Sequence, residues 1–233
     1  VRSSRSARGR SRRSTSAPAE QAGRERILAV AIRSFSEIGY DGTTTAGVAR
    51  EAGVTQPLVH HHFGSKEGLW RAAMEELFRD VRTFTATREG PLEDRLLGPI
   101  EEFVRFVAVR PQVTRVVARE GAAPSWRLTH LVDRYLREPF RNVVAAVGEG
   151  QRTGLIATDV RPELVLFLIL GAGSHLFDVT ALARESVGVD ADAPATREDF
   201  VRLLREVLRD GIFREGAGAP PTSRPRPAGS RRR

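Results

Sequence analysis

Apolar residues recur three and four positions apart at Ile27, Leu28, Ala31, Phe35 and Ile38, a spacing that predicts a helix over 27–38 with all five on one face. Gly39 ends it, and the turn Asp41-Gly42-Thr43-Thr44 offers threonines to cap a second, short helix over 45–52. Gly53 breaks that helix. Thr55 stands where it can cap a third, over 56–62, and Pro57 falls in its first turn, where a missing N–H does little harm. After Gly64, Ser65 is the natural N-cap of a long helix over 66–83 that turns Leu69, Trp70, Ala73, Leu77, Phe78 and Val81 inward. Further helices are predicted near 92–109, 111–122, 126–153, 162–185 and 197–213, separated by breaks containing Gly or Pro. No segment alternates with a convincing period of two, and no internal repeat is present. The fold class is therefore all-α.

Around Gly53 the spacing becomes specific. Ala49, four residues before it, is small where two helices would cross closely. Val48, Ala52, Val54 and Val59 fall where apolar side chains must fill the space between them. The glycine suits the positive-φ turn joining two steeply crossed helices. These positions read as a helix-turn-helix inside a three-helix unit, and the third helix would then lie in a DNA major groove. With Val59 and Phe63 inward, a hundred degrees per residue leaves Gln56, Pro57, Leu58, His60 and His61 facing the DNA. Gln56 can pair with an adenine edge, Leu58 can touch a thymine methyl, and the imidazoles can donate to base or phosphate.

Lys66 adds a separate signal. A cation in the first turn of a helix opposes the helix dipole unless an anion is brought to that end, and a DNA phosphate would supply one. Thr43 and Thr44, at the start of the second helix, make a second expected phosphate anchor on the other side of the reading helix. Together Gly39-Tyr40, Thr43-Thr44, Val48-Ala49, Ala52-Gly53-Val54-Thr55, Val59, His62-Phe63, Ser65-Lys66-Glu67 and Leu69 resemble the N-terminal signature of the tetracycline-repressor (TetR) family. The resemblance covers about a quarter of the chain. It implies an all-helical homodimer of about nine helices, usually a repressor. Two reading units would bind a palindromic double-stranded operator and release it when a small molecule enters the C-terminal body. His60 departs from the signature, which commonly has a backbone-contacting Tyr there; a His donor could replace it.

Composition bounds the rest. Of 233 residues, 40% are hydrophobic and 28% charged, and the formal charge is +8. That excess sits at the ends. Residues 1–19 hold six arginines and 216–233 five, neither with an acid, whereas 20–215 hold 26 basic and 29 acidic residues. Both ends are expected to be disordered arms. DNA binding thus has to be argued from the motif, since a basic fold surface does not follow from the total. With no cysteine there is no disulfide, thiolate or Cys-based zinc chemistry. No signal peptide is visible, and the most apolar run, from Leu164 to Leu170, is shorter than a bilayer span, so a cytoplasmic protein without a membrane partner is expected.

The expected organisation is a disordered arm (1–19), a helix-turn-helix domain (20–65), a helical ligand-binding and dimerisation domain (66–215) and a disordered tail (216–233). Metal binding is not expected of His60-His61-His62, because consecutive helical residues diverge by a hundred degrees. No cofactor is expected, and no nucleophile–base arrangement or carboxylate pair indicates an enzyme. In the body, aromatic and polar residues on apolar helices could line a largely apolar ligand pocket: Phe103, Phe106, Trp126, His130, His175 and Asp178. Core packing explains the same residues without a ligand, and His130 and His175 also fit as packed or interface histidines. The segment 162–185 is apolar on nearly all sides. With its Gly171-Ala172-Gly173 run and the segment 197–213, it is the expected subunit interface. Two rival functions remain at this level: a non-specific DNA-coating protein driven by the arms, and an enzyme with a DNA-tethering module.

Overall fold

The computed structural model describes residues 16–81 and 90–212. These form helices α1 (Ser16–Glu37), α2 (Gly39–Gly42), α3 (Thr45–Glu51), α4 (Gln56–Phe63), α5 (Lys66–Leu77), α6 (Leu92–Val109), α7 (Gln112–Gly121), α8 (Trp126–Leu131), α9 (Arg137–Arg152), α10 (Pro162–Asp178), α11 (Thr180–Val187) and α12 (Pro194–Ile212). There is no strand among the described residues. All nine predicted segments are helical. The larger number comes from the one-turn α2 and from two predicted helices that are divided.

Each division has a local cause. The segment predicted over 126–153 carries Pro139, which has no N–H for the Tyr135 carbonyl and presses its ring against it; Val132–Leu136 widens into a π turn just upstream. The segment predicted over 162–185 breaks at β-branched Val179 (φ −121°, ψ 39°), and α11 leaves α10 at 70°. No single helix among the described residues is long and apolar enough to cross a membrane.

Two ends differ from expectation. Helix α1 begins at Ser16, eleven residues before Ile27, so 16–19 continue the helix and are not part of a disordered arm. The rest of that segment (1–15), the tail 216–233 and residues 82 and 83 of the helix predicted over 66–83 lie outside the described residues. Ile38 is 57% exposed, because α1 stops at Glu37 and the periodicity stops with it.

One core joins α1, α3, α4 and α5 through Ile27, Phe35, Val48, Val59, Leu69 and Trp70, and continues to Val113 and Val116 of α7 and Leu131 of α8. The other joins α6, α9, α10 and α12 through Leu97, Val104, Val147, Ile169 and Leu204. Phe103 and Phe106 pack against both. Gly173 serves this second core: a Cβ there would stand 3.1 Å from Phe103 and 3.2 Å from Val104. The expected Gly171-Ala172-Gly173 contact with a second subunit therefore fails at Gly173, which admits α6 of its own chain, while Gly171 and Ala172 remain exposed.

Candidate nucleic-acid interface and ligand cavity

The spacing around Gly53 produces the expected turn. Gly53 has φ +65°, Ala49 and Ala52 are buried at the crossing of α3 and α4, and Val59 is buried beneath α4. Thr44 caps α3, its hydroxyl accepting from Gly47 N at 3.0 Å, and Ser65 caps α5 by accepting from Gly68 N at 3.0 Å. Thr55 occupies the N-cap position of α4, but its side chain makes no capping bond.

Gln56, Pro57, His60 and His61 are exposed on one face of α4. They are partly organised already. His60 Nδ1 donates to Gly64 O (3.1 Å), which leaves its Nε2 to accept from Gln56 Nε2 (3.4 Å); the same amide donates to Thr45 Oγ1 (3.4 Å). His60 thus has Nδ1 engaged at the C-terminal end of α4 and braces Gln56 through Nε2. His61 Nε2 lies 3.6 Å from Glu20 of α1. Leu58 is only half-buried, beside α1, where a Cβ on Gly23 would lie 4.0 Å from its Cδ2. The predicted anchor Thr43 is a correction: it is 2% exposed and its hydroxyl donates to Gly39 O at 2.7 Å, closing the turn of α2. Thr44 alone of that pair reaches solvent.

Lys66 is less unfavourable than its position at the start of α5 suggests. Its ammonium lies 4.4 Å from the ring centre of Tyr40 and donates to Asp41 O at 3.4 Å, both carried by α2. Half-buried, it holds the start of α5 against α2. Tyr40 also receives Arg127 on its ring (4.7 Å), and its hydroxyl pKa is raised, chiefly by burial and then by Glu67. The sequence reading did not single out Tyr40 in this role, or Thr45; the signal for Tyr40 was an aromatic in a turn facing the only lysine of the chain.

In the body, a cavity of about 920 Å³ opens between α6, α7, α9 and α10. Phe103, Phe106 and Asp178 line it, as predicted. Trp126, His130 and His175 do not. Trp126 packs edge-on to Tyr40 (5.7 Å) and Trp70 (5.1 Å), joining α8 to the DNA-binding unit. His130 sits against Trp70, and its Nδ1 accepts from Arg71 Nη1 at 2.7 Å; burial, then Arg71 and Arg134, lower its pKa. His175 is exposed on α10 and is not part of the cavity lining. Sequence reasoning missed Thr114, Ser174 and the pair Arg95–Glu149, which also line the cavity. Arg95 donates two bonds of 2.9 Å to Glu149 and holds that carboxyl below its usual pKa. Such partners are 54 residues apart, so no local spacing reveals them. No group of His, Cys, Asp and Glu able to hold a metal ion occurs among the described residues.

Helix α7 connects the two regions. Val113, Thr114, Val117, Ala118 and Gly121 line the cavity, while the other side of α7 packs on α1, where Arg119 Nη2 donates to Glu37 O at 2.8 Å.

Comparison with known proteins agrees with this geometry. Residues 27–73 match the family described as bacterial regulatory proteins, tetR family. The chain is 25% identical over 190 residues to the HTH-type transcriptional repressor SCO4008 of Streptomyces coelicolor, covering 81% of this chain and 96% of that one. It is 28% identical to the HTH-type transcriptional regulator BetI of Agrobacterium fabrum, covering 81% and 90%. Among solved structures, the ketosteroid transcriptional regulator KstR2 of Mycobacterium tuberculosis shares the fold (TM-score 0.64, 22% identity, 82% and 95% covered). So does a bacterial regulatory protein in the tetR family from Rhodococcus RHA1 (TM-score 0.61, 21% identity, 80% and 96% covered).

Proposed function

We propose that the chain, whose residues 27–73 match the TetR family of bacterial regulatory proteins, is a repressor binding a palindromic operator as a homodimer and leaving it when a small, largely apolar molecule fills the body cavity. The observation that carries the DNA half is the α4 face: Gln56, Pro57, His60 and His61 are exposed over buried Val59, on a helix held at a fixed angle by the Gly53 turn. In this reading Gln56 reads bases, with Leu58 and His61 at the edge of the contact, and Thr44 and Lys66 meet phosphates on either side.

The dimer reading rests on apolar surface that the monomer leaves uncovered. Leu164, Phe167 and Leu168 on α10 are more than half exposed, as are Leu203 and Val207 on α12. Two helices from each copy would close a four-helix contact. The ligand half rests on the size and lining of the cavity, which falls within the range of small-molecule sites. A ligand pressing on α7 would be felt at α1 through Arg119, and so at the angle of the reading unit.

Selection from a random duplex pool with the full chain tests the DNA reading. We expect an inverted repeat whose half-site centres lie about one helical turn apart, ~34 Å. Recovery of unrelated sequences with a steep salt dependence would instead fit the coating protein driven by arginine arms.

A further inference from the structure

The cavity is not apolar throughout, and its polar groups are unevenly satisfied. Ser174 and Asp178 stand four residues apart on α10, hence on one face, and both line the cavity. Ser174 is 9% exposed, and no hydrogen-bond partner reaches its hydroxyl among the described residues. Asp178 Oδ1 accepts from Thr114 Oγ1 at 2.7 Å, and Arg115 Nε stands 3.9 Å from that same oxygen, outside the lining. Asp178 Oδ2 has no donor among the described residues. Thr114 cannot supply one, because its single proton is already shared between Asp178 and Pro111 O (2.9 Å).

The other end is lined by Arg95, Glu149 and Arg152, and Arg152 is exposed to solvent. Arg95 and Glu149 satisfy each other there through two parallel bonds. Both Arg95 and Phe106 line the cavity from α6, so it extends about 16 Å along that helix at ~1.5 Å per residue, with Ile100 and Phe103 between them.

We propose that this cavity selects an elongated, hydrocarbon-like molecule with a hydroxyl at one end, seated between Ser174 and Asp178. The ligand hydroxyl donates to Asp178 Oδ2 and accepts from Ser174 Oγ, so both open positions are filled by one group. A carboxylate cannot donate and is repelled by Asp178. An ether has no proton to give. The inference rests on reading the cavity as the effector site.

Calorimetric titration of the full chain, without DNA, with dodecanol, its methyl ether and dodecanoate tests the ranking. The alcohol is expected to bind about ten- to a hundredfold more tightly than either analogue, the range for a hydrogen bond to a charged group. Ser174→Ala should lower affinity for the alcohol and leave the ether unchanged. Asp178→Asn keeps the shape but replaces the open acceptor with a donor, and should shift the preference toward the acid. Equal or tighter binding of acid or ether, no binding by any of the three, or an unchanged ranking in both variants with native helix content overturns the proposal. Operator affinity with each compound is measured separately. The predicted ranking without any operator response removes the effector reading and leaves the hydroxyl selectivity; operator release by a compound lacking a hydroxyl, with the alcohol ranked no better than its ether, does the reverse.

Discussion

Gln56 is held before any DNA is present, by Thr45 on one side and by His60 on the other, and a base-reading amide that is already oriented loses less freedom on binding. Gln56→Ala should therefore relax preference at one base pair per half-site, by ~1–3 kcal/mol, while binding to unrelated duplexes stays the same. Competition assays with single-substituted operators check this, and a uniform loss over all sequences would assign Gln56 to the backbone. Lys66→Ala should do the opposite, weakening every duplex alike and flattening log K against log[salt] by about one unit. If Lys66 only braces Tyr40 and Asp41, the salt slope stays and thermal stability falls. His130 is legible in pH. Its pKa is lowered by burial first and by Arg71 and Arg134 next, with Glu75 and Asp133 opposing. Between the lowered value and the usual ~6.5, the unfolded chain binds more protons than the folded one, so stability is complete above that window and is lost as pH falls through it. Urea midpoints at about pH 7.5 and 5.5 should drop more for the native chain than for His130→Gln; parallel drops would take His130 out of the acid response.

At the scale of elements, what the sequence revealed and what it hid follow different rules. The helix-turn-helix was legible because its determinants are local: Ala49, Gly53 and Val59 lie within eleven positions, and each is fixed by helix geometry alone. The phosphate role expected of Thr43 failed because its carbonyl partner arises only when Gly39–Gly42 closes into a turn of helix, which a glycine-bounded tetrapeptide does not announce. In the cavity, Phe103, Phe106 and Asp178 were found from composition, but Trp126, His130 and His175 have the same composition and face elsewhere. Which side of α8 or α10 meets the cavity depends on packing against α5 and α6, a long-range fact. Gly173 shows the same limit, since small residues permit close approach without naming the partner. Its neighbours now supply a prediction. Gly173→Val would drive branched carbon into Phe103 and Val104, and overpacking of this kind costs about 1–3 kcal/mol. Thermal denaturation should show a lower midpoint for that variant. A glycine serving only a subunit contact would instead give an unchanged monomer and a weaker dimer.

On the proposed reading, operator binding depends on assembly of the whole molecule. A single reading unit meets one half-site, and two units held rigidly in one dimer engage the second half-site without a new search, which multiplies affinity with no new contact. The surface available for that assembly is specific. Leu164 and Leu168, four residues apart on α10, are exposed and outside the cavity lining, so Leu168 contributes little to the core of its own chain and is 58% exposed there. Leu168→Asp should accordingly leave the monomer folded, with native helix content, while placing a carboxylate without a partner in the dimer contact. Burial of such a charge costs several kcal/mol, comparable with the whole stability of a domain, so the dimer should dissociate. Sedimentation should then report a monomer, and operator affinity should fall toward that of a half-site although α4 is untouched. The control is Leu182→Asp, on exposed α11 beyond the 70° bend, which should dimerise normally if the contact is confined to α10 and α12. An intact Leu168→Asp dimer with normal operator affinity would remove α10 from the interface and leave the exposed Leu203 and Val207 of α12 as the surface through which two copies meet.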